Sequence, residues 1–150
     1  MPPQRYRQLI LNAALILLLA LLTGFGYGQI VIADIQGQPP SIPGDLRGCR
    51  MAHLECLLNG ILILAIAAAI RPLRFGAKTT ACIFWGLLVC GWTNAIASSL
   101  SPLTGGRGAV YTGFDWNSLN HVLFMAGVLA IIIAIVALII GCASSQADKA

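Results

Sequence analysis

The sequence predicts an all-α membrane protein: one domain over residues 1–150, four transmembrane helices in an antiparallel bundle, both termini cytoplasmic. Three observations lead there. Of 150 residues, 58% are hydrophobic and 9% charged, whereas a soluble domain carries about 25% charged residues. Four segments are each apolar over about the 20 residues that a helix needs to cross the hydrocarbon. The Lys and Arg residues are shared unevenly between the two sides that these segments define. The segments lack period-two alternation and are too long for barrel strands.

The spans are expected at about 9–28, 51–70, 79–100 and 119–141, each near the length of a bilayer-crossing helix. The first starts at Leu9 and meets no charge until Asp34. Gly24, Gly26 and Gly28 are expected to end it. A signal peptide would need a cleavage site soon after the apolar run to Leu22. Val31-Ile32-Ala33 lies far beyond that run, so a retained helix is expected. Alanines 65 and 67–69 thin the end of the second span, and small residues let helices approach closely in lipid. The short 71–78 loop makes the second and third spans a hairpin. The fourth is most apolar from Val122 to Gly141. The other two loops are long and hold Pro39, Pro40, Pro43, Gly44, Pro102, Gly105, Gly106 and Gly108. Long loops rich in turn formers usually cover something.

Orientation follows from the basic residues. The N-terminus, second loop and tail carry Arg5, Arg7, Arg71, Arg74, Lys78 and Lys149. The first and third loops carry Arg47, Arg50 and Arg107. The excess places both termini in the cytoplasm, with a bacterial inner membrane as the expected location. The bilayer is the expected partner. Nucleic acid is not, because the basic residues are scattered and no cluster mixes them with exposed aromatics. None of the five cysteines forms a C-x-x-C pair, which removes zinc and dithiol motifs. Cys56, Cys82 and Cys90 lie in apolar segments, where cysteine is a small core residue. Cys49 and Cys142 lie near opposite boundaries and are expected to be accessible thiols.

Ionisable and amide groups at membrane depth are costly and face a bundle interior or a cavity. The second span carries His53, Glu55 and Asn59. The third carries Trp92 and Asn94. The fourth opens with Asp115, Asn117, Asn120 and His121. His53 and Glu55, two residues apart, point to different faces. His53 is either an interfacial histidine bonded to a loop carbonyl or a metal or haem ligand. Glu55 is expected in an ion pair with Arg47, Arg50 or Arg107, or as a neutral carboxyl. Asn59 and Asn94 demand several hydrogen bonds each, from another helix or from a ligand. The Trp92 N–H must find an acceptor. Arg107, among glycines, can reach a carboxylate such as a haem propionate or Asp115, or stay solvated. No triad, phosphate loop or paired carboxylate appears, so hard chemistry would come from a cofactor.

Ala52-His53 followed by Leu58-Asn59-Gly60, then Gly91-Trp92-x-Asn94, then Ser101-Pro102 with Gly106-Arg107-Gly108, occur in an order that resembles the styrene oxide isomerases. The resemblance runs from about residue 45 to 125, within the four-span frame that the apolar segments define. It implies a homotrimer of four-helix subunits that binds haem b and a small hydrophobic substrate. His53 would ligate the iron, with Trp92, Asn94 and Arg107 at the cofactor. Asn59, Cys90 and Ser98 would stand at the substrate. The ferric iron would act as a Lewis acid, opening an aryl epoxide that a hydride shift turns into an aldehyde. Two positions depart from the family's pattern: Cys90 stands where it has an aspartate, and Ser98 where it has a tyrosine. The chain thus resembles a divergent member with a bulkier substrate or one held by apolar contacts. A non-catalytic haem-binding or electron-transfer protein, with His121 as second ligand, and a haem-free tetraspan scaffold are the other readings.

Overall fold

In the computed structural model, which describes residues 1–147 with side chains up to Ser144, the chain forms four helices and, among the described residues, no strand. They are α1 (Pro3–Ile35), α2 (Leu46–Ile70), α3 (Ala77–Thr104) and α4 (Trp116–Ala147). All four are long and apolar enough to cross a membrane. Lys149, counted above for orientation, lies outside the described residues.

Each helix packs against the next, and α3 also touches α1, while α2 and α4 make no mutual contact among the described residues. The core is an i, i+3/i+4 stripe of Leu9, Ala13, Ile16 and Ala20 on α1. It meets Ile63, Ala67 and Ile70 on α2 and Ile83, Leu87 and Ala95 on α3. Large side chains on the outer faces, such as Leu18, Leu22, Ile132 and Ile139, are exposed, as a helix in hydrocarbon requires.

The helices outrun the expected spans, and several local expectations are corrected. Gly24, Gly26 and Gly28 do not end α1. None has a positive φ, and the helix runs on to Ile35, with Gly37 at φ +63° just beyond. Pro102 lies inside α3, which ends at Gly105 with φ +70° and its N–H bonded to the Ser101 carbonyl. Arg47 and Arg50 belong to the first turns of α2, not to the loop. Asp45 caps that helix by accepting from the Gly48 N–H at 2.6 Å. Among the cysteines, Cys49 is buried and Cys82 exposed. Gly44 brings the chain so close to Cys49 that a Cβ there would lie 3.0 Å from Sγ.

Glycines set the helix spacing where α3 meets α4. A Cβ on Gly86 would lie 2.6 Å from the Ala130 carbonyl oxygen and 2.7 Å from the Ala134 Cβ. Neither atom can yield without moving α4. Gly86→Val is therefore expected to destabilise the protein by about 1–3 kcal/mol, read as a lower thermal midpoint in detergent. Gly28, with nothing within 4 Å of such a Cβ, is the control. Its replacement by Ala is expected to be neutral or to stabilise by about 0.5–1 kcal/mol.

Candidate functional site

His53 lies in the second turn of α2 and turns towards α1. Its Nδ1 is 2.9 Å from the Ala20 carbonyl oxygen. A carbonyl only accepts, so Nδ1 carries the proton, and in the neutral ring Nε2 then has the lone pair. Tyr27, two turns further along α1, stacks on the imidazole at 6.3 Å between centroids and 16° between planes. Gly24 lies between these two contacts, and a Cβ there would sit 2.8 Å from Nδ1 and 3.0 Å from Cε1. The missing side chain is the notch that admits the ring. This is what Gly24 does in the middle of a helix.

Glu55 turns the other way, towards α3. Asn59, buried one turn further along α2, donates from Nδ2 to the Glu55 carbonyl at 2.8 Å and to Glu55 Oε2 at 3.3 Å. Its Oδ1 accepts from Cys90 Sγ at 3.5 Å and from Asn94 Nδ2 at 3.4 Å. Asn94 Nδ2 also lies 3.6 Å from Cys90 Sγ. Asn59, Cys90 and Asn94 thus meet at one point between α2 and α3, and Glu55 joins them through the amide rather than through an arginine. The cluster touches α4 as well. A Cβ on Gly127 would be 2.6 Å from Asn94 Oδ1.

The other predicted site residues stand apart from this point. Trp92 faces α1, where Nε1 donates to Asn12 Oδ1 at 2.8 Å. Asn12 is eight residues before Ala20 on the same helix, about 12 Å at 1.5 Å per residue, so Trp92 and His53 address different stretches of α1. Ser98 is fully buried and donates to the Ala95 carbonyl at 3.2 Å. Arg107 is exposed on the loop after α3, beside a small crevice lined by Asp45, Arg47 and Ser101.

The loop between α3 and α4 is held by the first turns of α4. Asn117 Oδ1 accepts from the Arg107 and Gly108 N–H groups at 3.0 and 2.8 Å. Asn117 Nδ2 donates to the Val110 carbonyl at 2.7 Å. Ser118 Oγ accepts from the Thr112 N–H at 2.8 Å. Asn120 donates to the Gly106 carbonyl at 3.1 Å. His121 Nδ1 meets the Gly108 carbonyl at 3.0 Å. Asp115 caps α4, and the Ser118 N–H, then the Thr112 hydroxyl, hold its carboxyl below the ordinary range. A depressed carboxyl contributes stability above its unfolded value and loses it as pH falls through the folded one, so the cap persists into mild acid.

Sequence reasoning missed Asn12, Tyr27 and the purpose of Gly24. Asn12 had a signal, being the lone polar side chain between Leu9 and Leu22. Tyr27 and Gly24 had none, because their role exists only once α1 lies against α2.

The donor set fits a cofactor that brings most of its own ligands. Among the described residues no three His, Cys, Asp or Glu side chains converge. One imidazole, however, is fixed in its tautomer with a free Nε2, the form in which histidine binds a metal. Haem asks the protein for just such an axial nitrogen. A residue that holds a ligating histidine by its second nitrogen is worth roughly 10–100-fold in affinity. Gly24→Ala is expected to push the ring off the Ala20 carbonyl, so that a haem held by His53 would be lost faster by about that factor, measured as haem lost to apomyoglobin over time.

A family model described as styrene oxide isomerase matches residues 5–143. No curated protein matches the chain.

Proposed function

The chain belongs to the styrene oxide isomerase family, and from that premise we propose that it is a haem-b-dependent membrane isomerase converting a hydrophobic aryl epoxide to an aldehyde. The observation that carries this reading is His53, with Nδ1 committed to the Ala20 carbonyl and Nε2 left for iron. Haem b, when bound, supplies a ferric Lewis acid that polarises an epoxide oxygen.

The chain's own residues do the rest. Ala20, Gly24 and Tyr27 fix the imidazole that would hold the cofactor. The apolar side chains of the membrane segments keep out water, which would turn the opened epoxide into a diol. Asn59, Cys90 and Asn94 form the polar end of a substrate site otherwise bounded by hydrocarbon. Cys90 and Ser98 are small and uncharged, which fits a substrate held mainly by apolar contact.

His53 and the Asn59 cluster lie on different sides of α2, so a single subunit does not bring them together. A homotrimer resolves this, with the α1–α2 face of one subunit set against the α2–α3 face of the next. The helices run antiparallel in this reading. Supporting it, Phe75 and Thr79 meet Gly141, Gly86 meets Ala130, Asn94 meets Gly127, and Gly106 meets Asn117. The basic residues favour cytoplasmic termini in a bacterial inner membrane. An electron-transfer role through His53 and His121 draws no support from the fold, since α2 and α4 do not touch.

The test is turnover. Detergent-purified protein with a Soret band, given styrene oxide and no other cofactor, is expected to yield phenylacetaldehyde and no diol. A Soret band without turnover of any aryl epoxide would leave a non-catalytic haem protein. No Soret band after haem supplementation would leave a tetraspan scaffold.

A further inference from the structure

Glu55 carries a carboxyl group within the second span, and its hydrogen-bond partner is a neutral amide. It is the tenth residue of α2 and lies about 6 Å inside the span expected to begin at Met51. A charge so placed is expensive and marks function by default. It is also held. The Asn59 amide bonds both the Glu55 carbonyl and Oε2, which fixes the glutamate rotamer against its own backbone. The other end of that amide is held by Cys90 and Asn94. Both donors and both acceptor sites of Asn59 are therefore in use, and Asn59 is 6% exposed. Glu55, which is half-buried, has lone pairs beyond the one Asn59 engages and so, like the Oδ1 of Asn94, keeps capacity for a ligand.

We propose that Glu55 is the anionic group of the substrate site, a catalytic residue that stabilises the positive charge formed on the substrate carbon, with Asn59 as its positioning residue. This rests on the isomerase reading. In that reaction the bond between oxygen and the benzylic carbon breaks, and its electron pair goes to oxygen. A hydride leaves the neighbouring carbon with its pair and bonds the benzylic carbon, while an oxygen lone pair closes the C=O bond. No atom is gained or lost, and Glu55 keeps the same protonation throughout. Its charge acts across a medium of low dielectric, where a fixed charge counts for far more than in water.

The experiment compares wild type, Glu55→Gln and Glu55→Asp, each with its Soret band and oligomeric size checked, on styrene oxides bearing para substituents from methoxy to nitro. Glu55→Gln is expected to lower kcat by about 10²–10³-fold, the range for removing one electrostatic stabiliser, with KM and the Soret band unchanged. Its rate should also depend more steeply on electron donation, because the substituent must now supply the stabilisation the carboxylate gave. A rate lowered equally for every substituent, or not lowered, overturns the proposal. Should Glu55→Gln lose its Soret band, Glu55→Asp decides. There the carboxylate stands one methylene further from the substrate, so a lower kcat with a steeper substituent dependence than wild type supports the proposal, and a kcat lowered equally for every substituent, or unchanged, overturns it. If wild type turns over no epoxide while holding haem, the isomerase reading itself has failed, an outcome distinct from the others.

Discussion

On the proposed function, a His53→Ala variant is expected to lack the Soret band expected of wild type in detergent, and with it the epoxide turnover. The expected loss is complete, because no second ligand stands ready. His121 is on α4, which α2 does not touch among the described residues of one subunit. The thiols nearest in sequence, Cys49 and Cys56, are both buried. Removing the imidazole also leaves a space between Tyr27, Gly24 and the Ala20 carbonyl of a ring's size and polarity. Free imidazole at millimolar concentration is therefore expected to restore part of the band in the variant and to change wild type little. Dithionite difference spectra read both. A full Soret band in His53→Ala without added imidazole would remove His53 as the ligand and with it the basis for an iron-assisted reaction.

Asn59→Ala is expected to have the largest effect on stability. The substitution strands the Cys90 thiol and the Asn94 amide and frees the Glu55 side chain. A buried polar group left unpaired costs about 1–3 kcal/mol, and water does not reach the interior of a membrane bundle to take over. Thermal unfolding in detergent should show a midpoint several degrees below wild type. The Asn59→Asp variant should be worse than Ala, since it puts a second carboxylate against Glu55 and replaces the donor that holds it. An Asn59→Ala protein as stable as wild type would mean that the cluster is not held together by this amide.

The four helices were legible because bilayer thickness imposes a length and an apolarity that the chain meets four times. The ends were not. A glycine reads as a helix stop when its φ freedom is assumed to be the reason for it. Gly24 is instead there for its size, and that reason becomes visible only when His53 is opposite. Pro102 misled similarly, being tolerated inside α3 close to its end. The divergence of His53 and Glu55 could be read from their spacing, since two residues turn a helix by about 200°. Their partners could not. The meeting of Asn59 with Cys90 and Asn94 depends on how α3 is rotated against α2. An ion pair or a neutral carboxyl was the expectation for Glu55, the first because nearby arginines are plain in the sequence, whereas an amide one turn along its own helix is the less conspicuous neighbour. Cys49 was expected at the surface from its position near a boundary, but the chain folds back there over Gly44.

The loop between α3 and α4 has a consequence for biosynthesis. Its backbone is bonded largely by side chains of Asn117, Ser118, Asn120 and His121, all of which follow it in the chain. Gly106 also meets Ser101 and Thr104 of α3, but residues 107–113 lack their α4 partners while only the first three helices are in the membrane. They acquire their shape when α4 enters the membrane beside α3. A chain truncated before residue 117 would present this stretch as an open target for proteolysis, and a chain that carries α4 would protect it, so α4 is also the helix that closes this end of the protein.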